Sequence, residues 1–459
     1  MQVFTKTMRL DEKDLDQIVD DIAFLASVKD RGKILNILMS THPADIADII
    51  RNLPEKEQRY VFSLLDADTA SEVIMELDDY SREKLVSELK HERISEIVDE
   101  MDSDDATDFV SELSEDVAEK VLASIDKQDS EEVKQLLRHE EDTAGGIMQM
   151  EFVAVRENVT VDEAIKEIRK KAEEVEEVYN VYVVDENDRL VGVLPLKRLI
   201  LARPNTRVKN IMDEDVISVP TTMDQEEVAN IFRRYNLVAV PVVDEEGRLL
   251  GRITIDDVVD VMEEEASEDI QKMAGLADEE EIRETSAFKI SMVRLPWLLV
   301  AFVGELISAL VLHHFEASLN QIFMAALFIP LMMAMGGNSG NQAAIIVVRA
   351  IALGELTPDD IFKRLRKEFR VSFIIGVTCG ALLFVLVTLL GDMRFGAILA
   401  ISMLIVILNA TLVGASIPLI LKKLGIDPAI ATGPFISTSN DIIGLLIYLG
   451  LTSVLMQYL

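Results

Sequence analysis

The residues with the most chemistry to offer lie in apolar surroundings. In "STSNDIIGLLIYL" (Ser437–Leu449), Asp441 sits inside the last long apolar segment of a 459-residue chain. A carboxylate near the middle of a membrane span costs about 2.5–3.5 kcal/mol on insertion scales. "MGGNSGNQ" (Met335–Gln342) interrupts another such segment, Glu305 lies in a third, and Asn409, Thr438, Ser439 and Asn440 add polar positions. No intramembrane Lys or Arg is available as a partner, since Arg294 and Arg349 fall near segment ends. One reading is that glycines and amides let helices pack closely and bond to each other. The other is a polar pathway, because an unpaired carboxylate in a polar cavity is a site for a cation.

The elements that must position these groups begin at an abrupt change of composition. From Lys289 onward there are 9 acidic and 11 basic residues, which leaves 72 acids against 34 bases before it, a net of −38. That field repels nucleic acid and attracts cations. Five apolar segments, near 293–313, 321–348, 371–391, 395–421 and 429–457, are long enough to cross a bilayer. Basic residues cluster after the second (Arg349, Lys363, Arg364, Arg366, Lys367, Arg370) and after the fourth (Lys422, Lys423). The connection after the first has none and the one after the third only Arg394, which predicts a cytoplasmic N-terminus. Cys379 is the single cysteine, so a reducing compartment is expected, and the N-terminal "MQVFTKTMRLDEKDLDQ" has no signal-peptide core.

The acidic part repeats itself. Apolar pairs recur every 12 residues: Ile49-Ile50, Val61-Phe62, Val73-Ile74, Leu85-Val86, Ile97-Val98, Phe109-Val110 and Val121-Leu122. Each is followed by Leu53, Leu65, Leu77, Leu89, Met101, Leu113 or Ile125, spacings of 3 and 4 that mark one helix face. Helices too short to bury a core alone must stack, so a small all-α solenoid is expected. From about 143 to 265 a strand–turn–strand–helix pattern occurs twice, with Val184/Val243, Asp185/Asp244, Leu190/Leu249 and Gly192/Gly251 each 59 apart. The pair resembles tandem cystathionine-β-synthase (CBS) domains, which sense rather than catalyse. Gly251, Thr254 and Asp257 match the pattern with which such domains hold an adenosine ribose. The first copy has Pro195 and Arg198 instead, so at most one nucleotide site is expected. Next comes "VMEEEASEDIQKMAGLADEEE", either a solvated spacer helix or a coupling element to the first span.

This order resembles the MgtE-type magnesium channel/transporter family over essentially the whole chain. "GGNSGNQ", "GIDPA" (Gly425–Ala429), "SNDIIG", "EDTAGGIM" and "EEASEDI" carry the resemblance. It implies a multidomain membrane protein: acidic solenoid (1–140), CBS domains (141–203 and 204–262), connecting plug helix (263–285) and a five-helix transmembrane domain (286–459). It further implies a homodimer in the plasma (inner) membrane, with the pore between subunits and closed by the plug helix, and no enzymatic activity. Asp441 resembles the pore-centre Mg²⁺ site, Asn338 a polar pore-lining neighbour, and Asp427 an acid at the cytoplasmic mouth facing Glu268 and Asp269. Glu72, Asp104 and Asp108, with Asp224, Glu226, Asp257, Asp260 and Glu265, match metal-sensing positions, and Gly146 a backbone contributor. Asn236 and Gly433 depart from the pattern, standing where an acid and an asparagine are expected.

The resemblance implies Mg²⁺ uptake gated by cytosolic Mg²⁺, with ATP a candidate regulatory ligand. Mg²⁺ keeps its water and takes oxygen ligands, so one carboxylate ring with amides acting through water would pass it. Gly444 and Gly336–Gly337 would let the helices approach. With no ATPase motif, the membrane potential is the expected driving force, worth ~2.3 kcal/mol per charge per 100 mV. The rival readings are a ligand-gated sensor that transports nothing and a CBS-regulated carrier for another cation or solute. The sequence leaves open the choice among Mg²⁺, Co²⁺, Mn²⁺ and Ni²⁺, and that between channel and carrier.

Overall fold

A computed structural model describes residues 12–171, 175, 178–274, 287–316, 323–356, 360–431 and 433–458. The chain divides into two compact units, Met1–Val261 and Met262–Leu459.

The first unit opens with α1 (Glu12–Ser27) and α2 (Arg31–Leu38). It continues through α3 (Pro43–Asn52), α4 (Glu55–Phe62), α5 (Ala67–Met75), α6 (Asp79–Val86), α7 (His91–Val98), α8 (Ser103–Ser111), α9 (Glu115–Leu122) and α10 (Lys127–Leu136). From Pro43 to Lys127 every helix starts 12 residues after the last. The start signals are in the sequence: Pro43 opens a first turn, and Asp66, Asp78 and Asp126 accept the backbone N–H of Thr69, Ser81 and Gln128. Ile49, Val61, Val73, Ile97 and Val121, first members of the apolar pairs, are fully buried in one continuous core. Helices of two turns are unstable alone. Here α3 packs on α5, α5 on α7, α7 on α9 and α8 on α10, so each supplies the next one's missing core.

Two three-stranded sheets follow: β1 (Ala154–Arg156), β2 (Asn180–Val184) and β3 (Leu190–Pro195), then β4 (Val219–Pro220), β5 (Ala239–Val243) and β6 (Leu249–Thr254). In each, the first strand is parallel and the third antiparallel to the middle one. The 59-residue offset is reproduced in register, since Val183 pairs with Gly192 as Val242 pairs with Gly251. Crossover helices α11 (Val161–Lys171) and α13 (Gln225–Tyr235) follow the first strands, and α12 (Leu196–Leu201) and α14 (Ile255–Ala274) the last. Asn236 ends α13 at φ +53°. That left-handed geometry is one that Asn adopts readily at a helix end.

The second unit comprises the end of α14 and α15 (Ala287–His314), α16 (Phe323–Ala352), α17 (Ile361–Leu389), α18 (Met393–Lys423) and α19 (Pro434–Tyr458). Among the described residues four helices are long and apolar enough to cross a membrane: α15, α17, α18 and α19. The sequence predicted five. The remaining one, α16, is 30 residues long and carries Asn338, Asn341 and Gln342 among its apolar residues. The connecting helix is described only to Ala274, and its expected remainder lies outside the described residues. In α18 half of the most apolar window is buried against 11% in α15, so α18 is the bundle's centre, packed by α16, α17 and α19.

Bilayer helices associate through close contact of small residues. A Cβ at Gly414 of α18 would stand 2.2 Å from the Gly340 carbonyl of α16, and one at Gly380 2.8 Å from the Ala400 carbonyl. Of the glycines expected to admit close approach, a Cβ at Gly336 would stand 3.0 Å from Val406 and one at Gly444 3.2 Å from Met333, whereas one at Gly337 would meet nothing within 4 Å among the described residues. Gly414→Ala should therefore lower the detergent-solubilised protein's stability by ~1–3 kcal/mol, as overpacking does, while Gly337→Ala should leave it unchanged. Thermal melting monitored by tryptophan fluorescence or light scattering checks this.

Candidate functional site

In the membrane unit the polar residues of α16 and α19 meet at the tight crossings. Asn440 is 2% exposed, and neither its Oδ1 nor its Nδ2 has a hydrogen-bond partner among the described residues. Its amide occupies the space left by Gly340, where a Cβ would come within 2.0 Å of Nδ2. Asn341 likewise keeps an unpartnered Oδ1. Asp441 is half-buried and its carboxyl lies within hydrogen-bonding reach of Glu305 on α15. Asn338 is exposed on α16. The sequence marks Asn341 and Asn440 as polar positions but not that their amides are unpartnered or that Asn440 packs so closely, because that depends on which glycine faces which helix. Gly433 has φ +60°, a conformation that Gly and Asn adopt readily, so the departure there is one the backbone accepts.

In the connection between α18 and α19, Asp427 accepts the Ala429 N–H at 2.8 Å, and its other oxygen lies 2.7 Å from Lys272 Nζ. Lys272 also pairs with Glu268 one turn earlier on α14. The sequence predicts Glu268 and Asp269 facing Asp427. The structure places an ammonium group between Glu268 and Asp427, a cation that belongs to the chain. Burial and the charge of Asp427, partly offset by Lys272, push Asp269 up to about 6.

The first unit holds a crowded group of acids. Asp104 is 6% exposed with an unpartnered Oδ1, and burial with the charge of Asp257 raises it well above the usual carboxylate range. Burial and Asp257 likewise push Asp105 up to about 7. Asp108 rises to about 6 through burial and the charges of Glu141 and Glu112. Asp257 itself is pushed up to about 6 by burial, although Thr254 donates its hydroxyl (2.5 Å) and its N–H (3.1 Å) to Oδ2. Glu151 was not anticipated. It accepts the N–H (3.1 Å) and hydroxyl (2.7 Å) of Ser103 at the start of α8, where the helix dipole favours an anion, and burial pushes it up to about 7. Arg82, which pairs with Glu112 at 2.8 Å, is the nearby basic side chain that pulls Asp105 and Asp108 back down.

Beside this group Asp108, Glu141, His139 and Gly146 line a small cleft. A Cβ on Gly146 would lie 2.4 Å from the Glu141 carbonyl, so only glycine fits. The other expected sensing residues are dispersed. Glu72 is exposed on α5 and is not among the main charges felt by Asp104, Asp105 or Asp108. Asp224 caps α13 by accepting the Glu226 N–H at 2.9 Å, with Glu226 half-buried beside it. Asp260 is exposed and Glu265 half-buried along α14. At Gly251 a Cβ would be 2.6 Å from the Gln149 carbonyl, so that glycine has a packing reason independent of any nucleotide.

Asp105, Asp108, Asp257 and Glu151 keep protons in the folded state that the unfolded chain has lost, over the range from about pH 4 to about pH 7. Their contribution is therefore fully present below about pH 4 and is lost as pH rises through about 6–7. In chelator-containing buffer the melting midpoint should fall by ~5 °C between pH 5 and pH 8, the size that ~1–2 kcal/mol produces in a unit this large. Millimolar Mg²⁺ should restore most of it at pH 8. Calorimetry at both pH values checks this.

The comparisons with known proteins agree with this arrangement. The model of a divalent cation transporter family matches residues 329–451, that of the MgtE intracellular N domain residues 41–142, and that of the CBS domain residues 144–205 and 208–264. The chain is 40% identical to a magnesium transporter MgtE of Thermus thermophilus over 71% of its own length and 73% of that protein. It is 34% identical to that of Bacillus subtilis over 92% and 94%. A crystal structure of the soluble part of a magnesium transporter, 30% identical, covers 55% of this chain and 99% of that one with a TM-score of 0.51. With this coverage, and with helical repeat, CBS pair and membrane bundle in the same order, the chain belongs to the MgtE family of magnesium transporters.

Proposed function

We propose that this protein carries Mg²⁺ across the cell membrane into the cytoplasm and that cytosolic Mg²⁺ closes it. Family membership supplies the substrate class. The observation that carries the pathway is Asp441, a carboxyl among apolar helices with Glu305 as its main charged neighbour and the unpartnered Asn440 amide beside it in sequence. A hydrated dication offsets the cost of that charge, and neutral amides act on its water shell. Of the expected pore residues Asp441 is the centre, Asn338 a lining group and Asp427 the mouth.

In this reading α16 is a fifth span and the N-terminus is cytoplasmic, which places the basic connections on the same side. Leu327, Leu331, Asn338, Gln342 and Ile345 form one exposed stripe on α16. Two carboxamides facing hydrocarbon are costly, so a second copy of the chain covers them and the protein is a homodimer. The solenoid (1–140), CBS domains (141–203, 204–262) and plug helix (263–285) form the regulatory part. Mg²⁺ bridging Asp104, Asp108 and Asp257, with the cleft at Gly146, relieves their mutual repulsion and favours the closed state. Glu72, Asp224, Glu226, Asp260 and Glu265 add charge around it. Glu268 and Asp269 hold the plug at Asp427, with Lys272 as the standing counter-ion.

Adenine nucleotide is a second regulatory ligand at Gly251, Thr254 and Asp257. Asp257 is offered for the ribose hydroxyls while also facing Asp104 and Asp105, so the two ligands are linked through one side chain.

In liposomes, Asp441→Asn should keep its fold and lose Mg²⁺ influx by about 100-fold or more, since an amide brings no charge to a dication; wild-type influx would sink the pore assignment. Asp257→Ala should weaken ATP binding in calorimetry and raise the Mg²⁺ concentration needed for protease resistance, each by about tenfold. If monovalent salt at matched ionic strength protects as well as Mg²⁺, the acids are only a solvated surface and the feedback reading fails.

A further inference from the structure

Glu305 stands outside the roles assigned so far, yet it is the side chain that Asp441 meets. Gly304 makes the meeting possible. A Cβ there would lie 1.8 Å from the Thr438 side chain, so this side chain of α19 packs directly against the α15 backbone. One residue beyond Gly304 is Glu305, and three beyond Thr438, about one turn, is Asp441. Their carboxyl groups come within hydrogen-bonding reach, and Glu305 is the charge that Asp441 feels most.

Ser308 provides an independent observation. It lies one turn past Gly304 on the face of α15 turned to α19, is 4% exposed, and its hydroxyl has no partner among the described residues. A buried hydroxyl without a partner calls for an explanation.

We infer that Glu305 and Asp441 together form the central cation site, with the Ser308 hydroxyl as a third oxygen, and that its ligand is a partly hydrated divalent cation. This rests on the reading of Asp441 as the pore site. Two carboxylates in contact repel one another and are relieved by positive charge between them. A monovalent ion leaves the pair with a net charge of −1, whereas a dication neutralises it. Asp441 alone would attract cations; the pair selects for double charge. Flexible carboxylate and hydroxyl oxygens also suit an ion that keeps several of its waters.

The test uses the full-length protein in liposomes and planar bilayers. Glu305→Gln keeps the side chain's shape and removes its charge. It should raise the half-saturating Mg²⁺ concentration about tenfold and lower the Mg²⁺/Na⁺ permeability ratio, read from the reversal potential, by a similar factor. Glu305→Asp should retain most of the selectivity, and Ser308→Ala should raise half-saturation by a smaller factor. If Glu305→Gln matches wild type in both readouts while Asp441→Asn is inactive, Glu305 only packs α15 on α19 and the inference is overturned, with the pore reading intact. If Asp441→Asn conducts normally, the pore reading itself fails. Should Glu305→Gln prove unstable, Glu305→Asp decides: an unchanged melting midpoint with selectivity lost as completely as in Asp441→Asn also overturns the charge argument.

Discussion

Negative charge kept without enough positive charge to balance it is the constraint on which the structure turns. It recurs in three places of different make-up. In the membrane unit it is Asp441 against Glu305, held where apolar helices pack tightest. Where α14 meets the connection between α18 and α19, it is Glu268, Asp269 and Asp427 around one lysine. In the first unit it is Asp104, Asp105, Asp108 and Asp257, with Arg82 opposing Asp105 and Asp108. In the proposed function each arrangement is completed by a cation from solution, so that one ion would serve as both cargo and signal.

Much of this was legible in the sequence because it is periodic. A 12-residue spacing of Val and Ile pairs determines the helix, its buried face and its neighbour together, and the helix starts from Pro43 to Lys127 follow it without a slip. The 59-residue offset works similarly, since a strand pair with a glycine at one register position must fold alike in both copies. Asp441 could be singled out because a charge in an apolar run is rare.

The rest depends on contacts between residues distant in the chain. That Gly340 meets Gly414, and that Gly304 rather than Gly337 admits a neighbouring helix, follows from crossing positions that local spacing does not encode. Lys272 reads as one more charge on an acidic helix until Asp427 is found 2.7 Å away. Glu151 reads as a loop acid until it is seen satisfying Ser103 at the start of α8, a task that Asp102, the residue in the capping position, leaves undone. Glu305 was noticed as a second carboxylate, but its partner could not be named.

The junction between the two CBS repeats has a consequence for how they have diverged. Arg189 bridges to Arg248, its own counterpart 59 residues on. Leu190 donates to the Gly247 carbonyl while Leu249 donates to that of Asp188, the same bond made twice in opposite senses. The junction is self-complementary, like an isologous contact between two identical subunits joined into one chain. Since both halves make it with backbone groups, it survives exchange of the side chains around it. The first repeat can thus replace the threonine and aspartate of the second by Pro195 and Arg198 without loosening the pair. A symmetric scaffold of this kind carries an asymmetric load: one copy is free to specialise in ligands because the other is still a complete partner for folding.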